Sequence, residues 1–387
     1  MIYQLLVLTV IVLFLINLSL NLLSLKHPSK KARLPEKPPR VSVLIPARNE
    51  EDNVGKCLES ILRQDYPNFE ALVLDDNSTD KTSQIVGEIE ARDGRAHLIK
   101  GKPLPEGWTG KCFACHQLSQ HASGEWLLFV DADTVSEPHM ISGTLEIAVQ
   151  NGIAMLSGFP RQQVPGITQK VVLPVLFYFA QMTWFPIWWF HLSRKPRPTM
   201  VIGQFLLFNR QDYFRIGGHE AVRSKIIEDM WFGIEMSRHG GRTLSVDLSN
   251  TLSTGMYNNV ASMTEGCIKW FYSIAAISPL ALIGFVVAAY IFYLAPFYWL
   301  YIAPWDAFIA GQPVHAISIV IAAQVFLLLL MRLFTDLYFR GSAISFIFHP
   351  LGAAFLILAV IYGALRRFMG AGVAWKDRVY QSITHIK

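Results

Sequence analysis

Charged side chains are scarce in this sequence. Only 16% of its 387 residues are Asp, Glu, Lys or Arg, against about 25% in average globular proteins. Hydrophobic residues make up 52%, and the mean hydropathy is +0.32. Residues 1–25 carry no charged side chain at all. A formal net charge of +5 could suggest a nucleic-acid binder, but its distribution argues otherwise. Residues 26–40 hold six basic side chains (Lys26, Lys30, Lys31, Arg33, Lys37, Arg40) against Glu36, a local +5. Residues 366–387 hold five (Arg366, Arg367, Lys376, Arg378, Lys387) against Asp377, a local +4. Residues 41–365 therefore sum to −4. Both basic clusters abut apolar runs, which is the charge pattern of a membrane protein, and no nucleic-acid partner is expected.

Tyr3–Leu25 is apolar and uninterrupted. At ~1.5 Å rise per residue it can cover a ~30 Å hydrocarbon core. A cleaved signal peptide would put positive charge before the apolar stretch and small residues at its end. Here the charge follows and no Ala-x-Ala site is present, so a retained anchor is expected, with the domain after Lys26 in the cytoplasm. Three further apolar runs lie at Phe271–Ala303, Pro313–Met331 and Gly341–Leu365. Three simple crossings would leave Arg366, Arg367, Lys376 and Arg378 outside, against the positive-inside tendency. Two full crossings are therefore favoured, with Phe348-His349-Pro350 marking a re-entrant or interfacial hairpin shielded by protein.

The pattern changes after the Pro35, Pro38, Pro39 linker. Val41–Ile45, Phe69–Leu74 and Trp126–Val130 are short β-branched or aromatic runs that fit buried strands. Asp52–Gln64 and Thr79–Glu90 read as helices, so strands alternate with helices, as in a parallel sheet with crossovers. Ligands collect at the carboxyl ends of such strands. Pro46-Ala-Arg48-Asn-Glu50, Asp75-Asp76-Asn77-Ser78 and Asp131-Ala-Asp133 all fall there, and three polar clusters on one rim suggest one site. Asp75-Asp76-Asn77-Ser78 alone is as readily turn chemistry. In Asp131-Ala-Asp133, alternation on an extended segment would send both carboxylates to one side, where a cation must join them. Glu228-Asp229 precedes an apparent helix and could simply complement its dipole.

In this order, PARNE at 46–50, DDNSTD at 75–80, DAD at 131–133, GG at 217–218 and ED at 228–229 resemble a family 2 glycosyltransferase of GT-A fold. That fold is a Rossmann-like α/β domain, here joined to transmembrane α-helices. Gly107-Trp-Thr-Gly-Lys111, Phe348-His-Pro350 and Trp375-Lys-Asp-Arg378-Val-Tyr380 are similar to the membrane-anchored branch that glycosylates hydrophobic acceptors. Carotenoid- and hopanoid-associated enzymes belong to that branch, with ceramide glucosyltransferases more distant. The resemblance implies a division into an anchor (1–25), a basic linker (26–40), a catalytic domain (41–255), an interface helix (256–270), a membrane region (271–365) and a basic cytoplasmic tail (366–387).

It also implies roles. Asp76 would recognise the uracil of a UDP-sugar, with Pro46, Arg48 and Glu50 lining the nucleotide pocket. Lys111 would approach the diphosphate, Asp131 the ribose and the metal, and Asp133 the metal, Mg2+ or Mn2+. Asp229 would be the general base of an inverting displacement. Glu228, Gln204, Lys269 and Trp270 would serve the acceptor or the membrane entry. A carboxylic acid acceptor would need no base, so Asp229 tilts the expectation towards a lipid hydroxyl receiving one sugar, glucose. Processive relatives carry Gln-x-x-Arg-Trp where this chain has Gly266-Cys-Ile-Lys269-Trp270. Lys cannot supply the bidentate fork of Arg, which argues against a polysaccharide synthase. Lys269 could equally be an interfacial anchor beside Trp270.

Cys112-Phe-Ala-Cys115-His116 matches a c-type haem attachment pattern, but it lies on the expected cytoplasmic side, so no haem is expected. For the same reason the four cysteines (Cys57, Cys112, Cys115, Cys267) are expected to form no disulfide. Ile167–Phe190 is crowded with aromatics and broken by Pro174 and Pro186. A crossing there would separate Glu228-Asp229 from Asp131-Ala-Asp133, so an in-plane interfacial segment feeding a lipid acceptor is expected, with a buried core helix as the alternative. Outside enzymes, a non-catalytic membrane scaffold would explain the apolar runs but not the intact Asp131, Asp133 and Asp229.

Overall fold

The computed structural model describes residues 1–380 apart from 165, 194, 198, 258, 310–315, 372, 376 and 377. Lys376-Asp377 of the late motif and residues 381–387 of the basic tail lie outside the described residues.

The chain opens with helix α1 (Ile2–Ser24). The linker that follows docks on the catalytic domain. Lys26 forms a parallel bridge with Val246, and His27 Nδ1 lies 3.0 Å from Asp247 Oδ2. The sheet then begins with β1 (Val41–Ala47), helix α2 (Val54–Leu62), β2 (Phe69–Asp75), α3 (Thr82–Glu90) and β3 (Ala96–Lys100). These are the expected βα units: β1 and β2 are apolar runs buried on both faces, which only a helix-covered parallel sheet provides. Helix α4 (Gly110–His121), β4 (Trp126–Val130), β5 (Thr134–Ser136), α5 (Met140–Gln150), β6 (Met155–Phe159) and β7 (Arg161–Gln162) follow.

Next come three short helices, α6 (Ile167–Pro174), α7 (Ala180–Trp184) and α8 (Ile187–Leu192), with a π-helical turn at Val175–Phe179 between the first two. β8 (Phe205–Asn209), α9 (Arg210–Arg215), α10 (Gly218–Ala221), α11 (Glu228–Arg238), β9 (Thr243–Asp247) and β10 (Leu252–Thr254) complete the domain. Seven strands form one sheet in the order β3-β2-β1-β4-β8-β6-β9. The sheet is not wholly parallel: β8 runs antiparallel to both β4 and β6. A second sheet, β5-β10-β7, flanks it. One face of the large sheet packs on α2, α3 and α5 through Val54, Ile89 and Leu145. The other packs on α4 and α11 through Leu118, Phe232 and Met236.

Helix α12 (Val260–Ile277) returns from the domain, and α13 (Pro279–Ala289), α14 (Ala295–Ile309), α15 (Ala316–Tyr338) and α16 (His349–Phe368) follow. Among the described residues, four helical stretches are long and apolar enough to cross a membrane: Ile2–Ser24, Pro279–Ile302, Ala316–Tyr338 and Ser345–Phe368. Pro279 starts the second of these behind the cap of Ser278, whose hydroxyl accepts from Ala281 N. Phe348-His349-Pro350 does not break a span: Pro350 sits in the first turn of α16, where its missing N–H costs no helical bond.

The aromatic segment is part buried and part exposed. Residues 171–183 are buried among α1, α15 and α16, whereas Phe185, Trp189 and Leu192 are exposed. Close packing is enforced at Gly352 of α16, where an added Cβ would lie 2.7 Å from the Val171 carbonyl oxygen.

Candidate active site

Parallel register sets the rim. Ala47 pairs with Asp75, so β1 and β2 end side by side and their loops zip together. Asn49 and Asn77 both adopt left-handed backbone, at φ 50° and 55°, a conformation Asn tolerates better than most residues. Arg48 Nη1 donates to the Asp76 carbonyl at 2.7 Å. Asn49 N donates to Ser78 Oγ at 3.0 Å, and Thr79 N to Asn49 Oδ1 at 2.9 Å. The two readings of the acidic pair divide between its members. Asp75 does turn chemistry, accepting from Ser78 N at 2.9 Å, while Asp76 lines the cleft.

Asp131-Ala-Asp133 is a turn and not an extended segment, closed by Thr134 N donating to Asp131 O at 3.1 Å. Both carboxylates still face the cleft, with Ala132 buried behind them. Thr254 Oγ1 donates to Asp133 Oδ1 at 3.3 Å. Helix α4 points its N-terminus at the same space: Thr109 caps it, and Thr109, Gly110 and Lys111 line the cleft. A helix N-terminus beside an ammonium suits an anion.

Lys111 is the hub of the charges. Its Nζ lies 2.8 Å from Asp131 Oδ1 and 3.2 Å from Glu228 Oε1, and donates to the Gly203 carbonyl at 3.4 Å. Burial disfavours its ammonium, but the Asp131 and Glu228 carboxylates outweigh burial and hold its pKa well above the usual lysine value. Asp229 begins α11, where Gly203 N donates to Oδ2 at 2.9 Å and Met230 N to Oδ1 at 2.8 Å. Its pKa is nevertheless pushed up to about 6, chiefly by burial and next by the Glu228 charge, against the pull of Lys111 and the two N–H groups. Lys269 on α12 is pushed down to about 8, first by burial, and Lys111 adds to the effect.

These groups line one cavity of about 460 Å³. It brings together all twelve residues given roles in the sequence analysis, from Pro46 and Arg48 to Lys269 and Trp270. Lys269 therefore faces the cleft. Phe177, Ile202, Met256 and Tyr257 add an apolar wall that sequence reasoning missed as site residues, apart from noting Phe177 among the aromatics. Tyr257 explains the departure at Gly266: a Cβ there would overlap the tyrosine ring, so the space beside the cleft is filled from another element. Gln204 is buried and accepts from Gln162 Nε2 at 3.3 Å.

The haem-like cysteines sit inside α4 with both thiols in the core, where burial raises the pKa of each. Trp108 packs on His116 at 5.0 Å. Among the described residues no group of three His, Cys, Asp or Glu side chains gathers to hold an ion unaided. Two carboxylates, Asp131 and Asp133, do line the cleft together.

Gly203 carries a test of this geometry. An added Cβ would lie 3.1 Å from Asp229 Oδ2 and 3.4 Å from Lys111 Nζ, so Gly203→Ala must displace one or the other. Turnover is expected to fall about tenfold or more, as small misplacements of reacting groups do, while the detergent-solubilised variant keeps its melting temperature within a few degrees.

A seven-stranded α/β sheet with polar clusters at its strand ends, and carboxylates gathered around one ammonium, is the architecture of a GT-A fold. Residues 42–231 match the family model "Glycosyl transferase family 2", and the chain carries a glycosyltransferase family 2 domain. Among curated relatives, 4,4'-diaponeurosporenoate glycosyltransferase of Staphylococcus aureus (strain USA300) is 27% identical over 328 residues, covering 76% of this chain and 85% of that one. Among solved structures, mannosyltransferase PcManGT from Pyrobaculum calidifontis, in complex with GDP-Man and Mn2+, aligns at a TM-score of 0.51 and 16% identity. It covers 92% of this chain and 98% of its own, a likeness of fold.

Proposed function

We propose that the protein transfers one sugar, glucose, from a UDP-sugar to a hydroxyl of a lipid dissolved in the membrane, with inversion at the anomeric carbon. The observation that carries this reading is Asp229: a carboxylate whose pKa is pushed up to about 6, in a cleft lined by both charged and apolar side chains. A hydroxyl is a poor nucleophile until a positioned base takes its proton, and a base works best with a pKa near the operating pH. The acceptor oxygen would attack the anomeric carbon as Asp229 takes the proton. The bond from that carbon to the diphosphate breaks, and the departing UDP carries the negative charge. Lys111 and the N-terminus of α4 would meet that charge. One displacement on one face of the sugar inverts it.

Asp76, Arg48, Pro46 and Glu50 would hold the nucleotide. Asp131 and Asp133 would hold Mg2+ or Mn2+, which supplies charge stabilisation to the diphosphate. Trp270, Phe177 and Gln204 would receive the acceptor, and the four apolar helices support a lipid one. The basic flank after α1 supports a catalytic domain on the cytoplasmic side.

The relative's name specifies an acid, 4,4'-diaponeurosporenoate, and a carboxylate acceptor would already be ionised. The two acceptor chemistries separate cleanly. Membranes containing the protein are incubated with radiolabelled UDP-glucose, Mn2+ and either retinol or retinoic acid, a polyene alcohol and a polyene acid. Organic-soluble counts that survive mild alkali are expected with retinol, because a glycoside resists base and a glycosyl ester does not. Label appearing only in alkali-labile product would overturn the hydroxyl assignment. EDTA is expected to abolish the counts and Mn2+ or Mg2+ to restore them.

A further inference from the structure

The unexplained feature is a pair of asparagines in an otherwise apolar helix. Asn17 and Asn21 lie one turn apart on α1, a helix long and apolar enough to span a bilayer. Amides are costly there unless they find partners. Theirs are backbone carbonyls at the end of α7, one of them orphaned by a proline. Pro186 follows α7 and has no N–H, so the carbonyl of Met182, four residues earlier, loses the bond a continuing helix would supply. Asn21 Nδ2 donates to that carbonyl at 2.8 Å and to the Phe185 carbonyl at 2.7 Å. Asn17 Nδ2 lies 3.1 Å from the same Met182 oxygen and 3.0 Å from the Thr183 oxygen. Both asparagine oxygens accept from one residue: Trp188 donates its indole N–H to Asn17 Oδ1 and its backbone N–H to Asn21 Oδ1, each at 2.9 Å.

The latch extends in both directions. His191 on α8 bridges α1 to the catalytic sheet, with Nδ1 3.3 Å from the Ser24 carbonyl and Nε2 accepting from Ser245 N at 3.3 Å. Burial holds its pKa down to about 4, so the ring stays neutral, and the two contacts then require the tautomer protonated at Nδ1. Towards the cleft, α7 continues directly from the π-helical turn at Val175–Phe179, and such turns recur at functional sites. Its three aromatics fan out. Phe177 lines the cleft and packs on Trp270 at 5.8 Å. Tyr178 stacks at 4.2 Å on Phe339, the residue after α15, and Phe179 lies 4.9 Å from His349 of α16.

We propose that Asn17 and Asn21 are positioning residues for the acceptor: by completing the broken backbone at Pro186 they lock the Val175–Leu192 segment and so fix Phe177 at the apolar mouth of the cleft. Helix α1 is then a working part of the acceptor site as well as an anchor. The role in transfer rests on the glycosyl-transfer reading above; the latch itself does not.

Two measurements test it. In the full-length protein in nanodiscs, Asn17→Leu combined with Asn21→Leu makes α1 more apolar, so insertion is not impaired. Hydrogen exchange of amides 175–192 is expected to quicken at least tenfold, with β1 and β4 unchanged. In the labelled transfer assay with retinol, the KM for retinol is expected to rise at least tenfold, while the KM for UDP-glucose and the slow hydrolysis of UDP-glucose stay within twofold. Unchanged exchange at 175–192 overturns the latch, whatever the acceptor proves to be. Quickened exchange with an unaltered retinol KM, or an equal loss of donor hydrolysis, overturns the positioning role. A wild-type protein that transfers to neither polyene refutes the transfer reading and, with it, the positioning role, and leaves the exchange result as the test of the latch.

Discussion

Asp229→Asn is expected to lower kcat by about a thousandfold while UDP still binds. A positioned general base contributes roughly 10²–10⁴-fold, and a thousandfold is about 4 kcal/mol of barrier. The substitution is nearly isosteric and keeps an oxygen to accept from Gly203 N or Met230 N, so the cleft should persist. Isothermal titration with UDP separates loss of base from loss of site. Unaltered turnover would remove Asp229 from the reaction. The pH profile gives a second reading of the same group. The base must be ionised, and its pKa is pushed up to about 6, so kcat/KM should fall tenfold per unit as pH drops below about 6. Lys269, pushed down to about 8, loses its charge as pH rises. If that charge serves the diphosphate, an alkaline limb begins near 8, and Lys269→Arg removes it because a guanidinium stays protonated.

The part of this architecture legible in the sequence was the part governed by local pattern. β1, β2 and β4 are apolar runs ending in polar clusters, and the strand-end rule brings those clusters to one rim. The meeting of Asp76 and Asp131 in one cleft follows from that rule alone, whereas Lys111, in the first turn of α4, was expected only from the family resemblance. Glu228 and Asp229 join it for a different reason: α11 begins opposite α4, and only the tertiary arrangement sets its N-terminus 2.9 Å from Gly203. The antiparallel β8 was not legible. Phe205–Asn209 is a five-residue apolar run with no alternation, and such a run does not distinguish strand direction, or even strand from buried helix.

The membrane region shows the same boundary. The length and apolarity of the runs were visible, but Pro350 looked like a break because a proline's effect depends on where in a helix it falls. The burial of the aromatic stretch 167–190 was not legible because it is set by α1 and α16, elements more than 140 residues away on either side. Asn17 and Asn21 were present in the sequence throughout. Their meaning requires knowing that Pro186 lies against them.

Lys111→Met is expected to have the broadest effect of any single change in the cleft. The ammonium lies between Asp131 and Glu228, at 2.8 and 3.2 Å, and its charge also restrains the pKa of Asp229. Removing one partner of a buried pair costs roughly 3–5 kcal/mol. A third of the Lys111 side chain is exposed to the cleft, so solvent screening reduces the stability loss to about 1–3 kcal/mol. The donor suffers more. A diphosphate would enter a cleft holding Asp131, Asp133, Glu228 and Asp229 without the ammonium that now faces them, and UDP affinity should fall roughly 100-fold, the order of a desolvated charge contact. The sign of the pH effect is fixed as well. Lys111 favours the ionised form of Asp229, so without it the carboxylate is harder to ionise and the acid limb moves above 6. Lys111→Arg should retain the charge and most stability but misplace it, since a planar fork does not fit where a compact ammonium meets two carboxylates and a carbonyl. Glu228→Gln in the Lys111→Met background removes one of the unpaired charges. It should restore much of the thermal stability and lower the limb again, without restoring UDP binding. Recovery of UDP affinity in that double variant would show that Lys111 acts only by neutralising Glu228 and not by meeting the diphosphate.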